Sequence, residues 1–262
     1  MQMKKIIFTD LDGTLLDSDN YSYEKAKNAL ELLKKKEIPL IFCTSKTRAE
    51  IEFWRKKIGN NDPFISENGG GIFVPKDYFS FKIQSDEEYN NYFLIKLGIN
   101  YSQLIGFINF LKEKYNIRSF SDMSSKEIAV DANLELTQAE LAKKREFDLP
   151  FKILNKSQEK DILNEIERHG LNYTIGGRYY HLLGDNNKGE AVRILSDLFR
   201  RKYGDIKTIA IGDSENDLQM LDSVNEGFLV KKKNGSYASN KYKKAEGVGP
   251  EGWNKIIQQE VL

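Results

Sequence analysis

Along the chain, short blocks of apolar residues run into polar turns and then into helical patterns. Residues 6–8 (Ile6, Ile7, Phe8) read as a buried strand, residues 23–36 carry leucines and alanines at helical spacing, and residues 38–43 form a second apolar run. A helix over 47–57 follows, with Ile51 and Trp54 on one face, and then a short strand over 63–66 that ends in the turn "ENGGG". Toward the other end the pattern predicts a helix over 188–203, a strand over 206–211, a helix over 215–221, a strand over 227–230 and a last helix from Glu251. Unbroken apolar runs between amphipathic helices mark strands covered on both faces. The expected class is therefore α/β, with a doubly wound, Rossmann-like parallel sheet.

The middle departs from this rhythm. Helical patterns over 101–115, 137–147 and 157–169 are interleaved with extended pieces such as 151–154, and "NYTIGGRYYHLLG" predicts a hairpin turning at Gly176 and Gly177. An inserted α+β cap is expected over 84–185, with residues 1–83 and 186–262 forming one core.

Composition narrows the partners. Of 262 residues 40% are hydrophobic, enough for a substantial core, and 40 basic against 39 acidic side chains leave a net charge of +1. Nothing global draws the chain to nucleic acid or to an anionic membrane, and its basic runs are short and poor in aromatics. The single cysteine, Cys43, can form neither an internal disulfide nor a thiolate zinc site, so a reducing cytoplasm is the expected setting. No segment approaches the roughly 18 apolar residues of a membrane span, and no secretion signal is evident.

Open parallel sheets bind ligands beyond the carboxyl ends of their strands. The predicted strands place Asp10 and Asp12 there, then Thr44 and Ser45, then "GDSEND" over 212–217; Lys188 opens the helix feeding the last of these. Carboxylates without neighbouring histidine or cysteine suit a hard cation, and Mg²⁺ takes one or two of them together with substrate phosphate. In such a set one aspartate can attack phosphorus, and a second can pass a proton to the leaving oxygen and later take one from water. Lysine and metal charge offset the phosphoryl dianion. The i, i+2 spacing of Asp10 and Asp12 serves this chemistry only if the backbone bends after the strand, which Gly13 allows.

"DLDGTL" (10–15), Thr44 of "CTSKT", Lys188 and "GDSEND" resemble, in order and across the chain, the four motifs of the haloacid dehalogenase (HAD) superfamily. The resemblance implies that Asp10 is the nucleophile, Asp12 the acid/base, Thr44 a phosphate donor and Lys188 the phosphate-neutralising lysine. It also implies an Mg²⁺ site drawn from Asp10, Asp12, Asp213 and Asp217, with the Leu11 carbonyl beside Asp10 and Asp213; Asp217 would orient a metal-bound water or steady Lys188. Asp12 points to phosphatase rather than dehalogenase chemistry. The strings "TSKTRAEIE", "ENGGGIF", "GGRYYHLLG" and "GPEGW" are similar to those of the mannosyl-3-phosphoglycerate phosphatases of that superfamily. That likeness implies a small phosphorylated glycosyl-glycerate as substrate, with the glucosyl ester, a broader sugar-phosphate phosphatase, a phosphomutase or a non-catalytic phosphometabolite binder as alternatives.

The substrate-side candidates are Ser45, Lys46, Arg48, Glu67, Asn68, Gly69, Arg178, Tyr180, Ser214 and Asn216. Each also has a purely structural reading. Thr44 and Ser45 can cap the helix beginning near Thr47, Ser214 and Asp217 can form a capping box, and residues 67–71 can be a turn needing positive φ. Lys46 and Arg48 can be solvated, Arg178 an exposed hairpin arginine and His181 a structural histidine. Tyr179 and Tyr180 face opposite sides of a strand, so only one meets a ligand.

Overall fold

The computed structural model describes residues 3–89 and 91–261. In chain order the strands are β1 (Lys4–Thr9), β2 (Leu40–Cys43), β3 (Phe64–Ser66), β4 (Gly71–Pro75), β5 (Glu87–Tyr89), β6 (Tyr92–Lys96), β7 (Ile117–Ser119), β8 (Leu149–Ile153), β9 (Asn172–Gly176), β10 (Tyr179–Leu183), β11 (Ile206–Gly212), β12 (Glu226–Lys231) and β13 (Lys243–Val248). The α-helices are α1 (Lys27–Lys35), α2 (Arg48–Ile58), α3 (Tyr101–Lys112), α4 (Ser125–Ala132), α5 (Leu136–Ala142), α6 (Glu159–Arg168), α7 (Lys188–Tyr203), α8 (Leu218–Leu221) and α9 (Pro250–Val261).

Nine strands form the core sheet in the order β13-β12-β11-β1-β2-β3-β4-β6-β5, parallel from β13 to β3 and antiparallel from β3 to β5. Successive side chains of its central strands feed two different cores. Ile7, Leu40 and Phe42 pack with α1 and α9 on one face, whereas Ile6, Phe8, Ile41 and Cys43 pack with α7 and α8 on the other. That two-sided burial is why these strands carry no polar alternation.

The cap is a separate antiparallel sheet, β7-β8-β10-β9, whose own core includes Leu104, Phe151, Ile166 and Leu182. Three expectations are corrected here. Strands β5 and β6 pair into the core sheet, so residues 87–89 and 92–96, expected in the cap, belong to the core sheet. The helical pattern over 137–147 stops at Ala142, because the backbone N–H groups of Glu146 and Phe147 are bonded to the core residue Glu67 instead of to a preceding turn. The hairpin turns at Gly177 and Arg178, since Gly176 still pairs with Tyr179.

Candidate active site

Strand β1 ends at Thr9, and the next residues turn sharply. The Leu11 carbonyl accepts from the backbone N–H groups of Thr14 (3.2 Å) and Leu16 (2.8 Å), which closes the turn. Gly13 has φ +75°, and a Cβ there would lie 2.9 Å from Asp213 Oδ2, so only glycine lets the loops after β1 and β11 meet this closely. Trp253, fully buried in α9, supports the same turn by donating from Nε1 to the Thr9 hydroxyl at 3.0 Å. The string "GPEGW" thus acts beneath the site.

Helix α7 begins where Asn187 Oδ1 accepts from the backbone N–H of Glu190 at 2.9 Å. Its first residue, Lys188, is 1% exposed and donates from Nζ to Asp10 Oδ1 (2.8 Å) and Asp217 Oδ1 (2.6 Å). The other oxygen of Asp217 accepts the backbone N–H groups of Asp213 and Ser214, each at 3.0 Å, in a capping box. One carboxylate oxygen from each of Asp10, Asp213 and Asp217 lies within 4.8 Å of the others. Burial first, then the crowding by Asp217, Asp213 and Asp12, pushes Asp10 up to about 8 against the pull of Lys188. Burial and then Asp217 push Asp213 up to about 7. Three carboxylates share one buried ammonium, and the missing positive charge fits a divalent cation bound through oxygen.

The structure brings the expected ligand set together in part. Asp12 stands apart from the cluster, with Oδ2 2.9 Å from Lys46 Nζ, while its Oδ1 is buried without a hydrogen-bond partner. Asp217 lies in the cluster, with Oδ1 on Lys188 and Oδ2 on the N–H groups of Asp213 and Ser214. The Leu11 carbonyl is spent on the turn. Asp10, Asp213 and Asp217 are the carboxylates grouped closely enough to hold a cation. Thr44, fully buried just past β2, accepts from the Lys46 N–H at 3.4 Å, and Ser214 donates its hydroxyl to Asp213 Oδ2 at 2.9 Å.

Between this floor and the cap lies a cavity of ≈ 430 Å³. Of the substrate-side candidates, Ser45, Lys46, Arg178, Ser214 and Asn216 line it. The others do not, for physical reasons. Arg48 lies flat on Tyr89, its guanidinium 4.3 Å from the ring centroid, and is paired with Glu146 (2.9 Å) and Glu52 (3.0 Å). Glu67 is fully buried and accepts the backbone N–H groups of Glu146, Phe147 (2.8 Å) and Asp148 (2.9 Å), tying the core to the cap. Asn68 bridges Asp148 Oδ2 (2.9 Å) and Asn216 Nδ2 (3.2 Å). Gly69, at φ +90°, is needed for packing, since a Cβ would meet the Asn187 carbonyl at 2.3 Å. Tyr180 points into the cap core against Phe151, with its hydroxyl on Glu159.

Residues passed over in the sequence stand in the cavity instead. Tyr179 and His181 line it, opposite in strand parity to Tyr180 and Leu182. Alternation carried that signal: the apolar Leu182 marks the face of Tyr180 as inward and the polar His181 marks the other. Arg145, with its guanidinium on Asp148 Oδ1 (2.6 Å) and the Ser45 carbonyl (2.8 Å), had no such signal, because it lay within a stretch with a helical pattern.

Residues 7–241 match the family described as haloacid dehalogenase-like hydrolase. The chain belongs to this family. It is 47% identical over 262 residues, covering 97% of this chain and 96% of the relative, to the glucosyl-3-phosphoglycerate/mannosyl-3-phosphoglycerate phosphatase of Methanococcoides burtonii. It is also 35% identical over 246 residues, 94% of this chain and 96% of the relative, to the mannosyl-3-phosphoglycerate phosphatase of Pyrococcus horikoshii. Among solved structures, a Thermoplasma acidophilum protein superposes with a TM-score of 0.73 over 100% of both chains at 19% identity, which shows that the fold is shared. In this haloacid dehalogenase-like hydrolase no helix among the described residues is long and apolar enough to cross a membrane.

Proposed function

We propose that this hydrolase removes phosphate from a glycosyl-3-phosphoglycerate, with mannosyl-3-phosphoglycerate as first choice, giving mannosylglycerate and inorganic phosphate. The observation that carries the reading is full-length similarity, 47% and 35%, to two phosphatases named for that substrate class. The Methanococcoides relative is named for both esters, so the glucosyl ester is the second choice.

The residues support a two-step transfer. An Asp10 carboxylate oxygen attacks phosphorus as the bond to the glycerate oxygen breaks, and Asp12 gives that oxygen its proton. Water then attacks phosphorus, Asp12 takes its proton, and the bond between Asp10 and phosphorus breaks. The unpartnered Oδ1 of Asp12 is the atom free to carry the proton. Lys188 holds Asp10 in line and offsets phosphoryl charge, while Thr44 stands as a hydroxyl donor for phosphate. Asp10, Asp213 and Asp217 would hold Mg²⁺, which would supply the remaining positive charge against the phosphoryl group. Ser45, Lys46, Arg178, Tyr179, Ser214 and Asn216 face the rest of the substrate. The partner is a small phosphorylated acid in the cytoplasm, neither nucleic acid nor membrane.

The test is Mg²⁺-dependent phosphate release from the mannosyl and glucosyl esters and a panel of ordinary sugar phosphates, with Asp10→Asn run beside the wild type. Preference for the glycosyl esters, with a loss of at least roughly a thousandfold in Asp10→Asn, is expected. Equal turnover across the panel would overturn the substrate assignment. A phosphomutase would move phosphate between sugar positions and release none.

A further inference from the structure

His181 sits in β10, 5% exposed, with a use for each ring nitrogen. Nδ1 lies 3.0 Å from Asp148 Oδ2. That carboxylate can only accept, so Nδ1 donates to it and the ring is fixed in orientation; in the neutral ring Nε2 then keeps the lone pair. Asp148 is itself immobile: fully buried, it also receives Arg145 at 2.6 Å and the Asn68 amide at 2.9 Å. Nε2 takes no hydrogen bond among the described residues. It faces Gly176, where an added Cβ would stand 3.3 Å from Nε2 and 3.7 Å from Asn216 Nδ2, and all three residues line the cavity. The absence of a side chain at 176 leaves a lone pair looking across the crevice.

Resting on the proposed function, we infer that His181 is a specificity-determining residue whose Nε2 accepts a hydrogen bond from a hydroxyl of the substrate's sugar. A phosphate or a carboxylate, having no hydrogen to give, would meet the lone pair unfavourably; a sugar hydroxyl donates to it. The sugar is also the part of the substrate that must lie away from the phosphate floor at Asp10, on the side that the cap provides. Arg145 and Asp148 are then positioning residues. They hold the ring, and through the Ser45 carbonyl and Asn68 they lock it to the core loops that flank the nucleophile.

The two nitrogens can be separated by substitution. Asn at 181 reproduces the Nδ1 donor toward Asp148 without Nε2, whereas Gln reaches the Nε2 position without Nδ1. His181→Asn should raise KM for the preferred glycosyl-3-phosphoglycerate roughly tenfold with kcat near wild type, the loss expected when one buried hydroxyl goes unpaired. Any turnover of 3-phosphoglycerate, which lacks the sugar, should fall much less than turnover of the glycosyl ester. His181→Gln should recover most of the KM. Gly176→Ala, which crowds Nε2 while leaving the bond to Asp148 intact, should copy His181→Asn without lowering the unfolding midpoint, and it keeps the test alive if His181→Asn folds poorly.

The reverse order, with Asn behaving as wild type and Gln impaired, would overturn the inference by making the ring a strut for Asp148. Equal losses on both substrates would overturn it too. If the wild type itself favours no glycosyl ester, the functional reading fails first, and that result is visible before any variant is made.

Discussion

Two clusters of buried charge lie on either side of the cavity, and they differ in completeness. At the catalytic floor, Asp10, Asp213 and Asp217 share the single ammonium of Lys188. At the junction of core and cap, Asp148 is met by Arg145 at 2.6 Å and by His181 at 3.0 Å, and Glu67 is met by three consecutive backbone N–H groups. Burying a carboxylate costs several kcal/mol unless it is paired and hydrogen-bonded. The junction meets that cost with its own groups and is architecture. The floor does not, and its shortfall of two charges matches what a divalent cation would supply. Buried acids are therefore diagnostic of a site only when their partners have been counted.

The contrast is easiest to break at Lys188. Lys188→Met leaves three carboxylates with no buried cation, and urea titration should show a loss of about 3–5 kcal/mol together with loss of phosphatase activity. A loss below 1 kcal/mol, well under that range, would mean that the floor is not short of positive charge. Glu67→Gln tests the complete cluster: it exchanges an acceptor for an amide against the N–H groups of Glu146, Phe147 and Asp148. Stability should fall by about 1–3 kcal/mol by thermal unfolding, while turnover of a small phosphoester by the folded fraction is retained.

Proton linkage acts on both clusters. The folded carboxyls of Asp10, about 8, and Asp213, about 7, stand above the ordinary 3.8, and Glu67 at the junction, pushed by burial and by Asp148, stands at about 8 against 4.5. The folded protein therefore holds protons that the unfolded chain releases, and without metal its stability should decline as pH rises from about 4 to about 8. Added Mg²⁺ should raise the unfolding midpoint more at pH 8 than at pH 5; an equal rise at both would count against cation binding by these carboxylates. The smallest effect is at the hairpin. Tyr179→Phe, which removes the hydroxyl held by Asp131 at 2.6 Å, should raise KM a few-fold, and Tyr180→Phe should leave KM alone.

The parts of this protein that were legible in its sequence are those whose cause is local. Strand β1, helix α2 and helix α7 starting at Lys188 follow from periodicity within a few residues, although α2 is capped by Thr47 and not by Thr44 or Ser45. Asp10 and Asp12 were legible for the same reason, being set by a strand end and a glycine turn. Strands β4 to β6 were missed or put in the wrong domain because short antiparallel pieces with polar neighbours show their purpose only once paired. Glu67, Asn68 and Gly69 looked like ligand residues, because a glycine-rich polar turn is equally suited to receiving a ligand or another loop of the same chain.

By itself, the sequence determined an α/β core, an inserted cap and the carboxylates and lysine of a candidate phosphoryl-transfer site, since each lies in a short motif beside a recognisable strand or helix end. Tertiary structure alone decided which of those groups remain unsatisfied. Lys188 reaches Asp10 across 178 positions, and Asn68 reaches Asp148 across 80. Whether a buried polar group is spent on the fold or left for a ligand depends on such distant partners, and periodicity in a sequence carries no record of them.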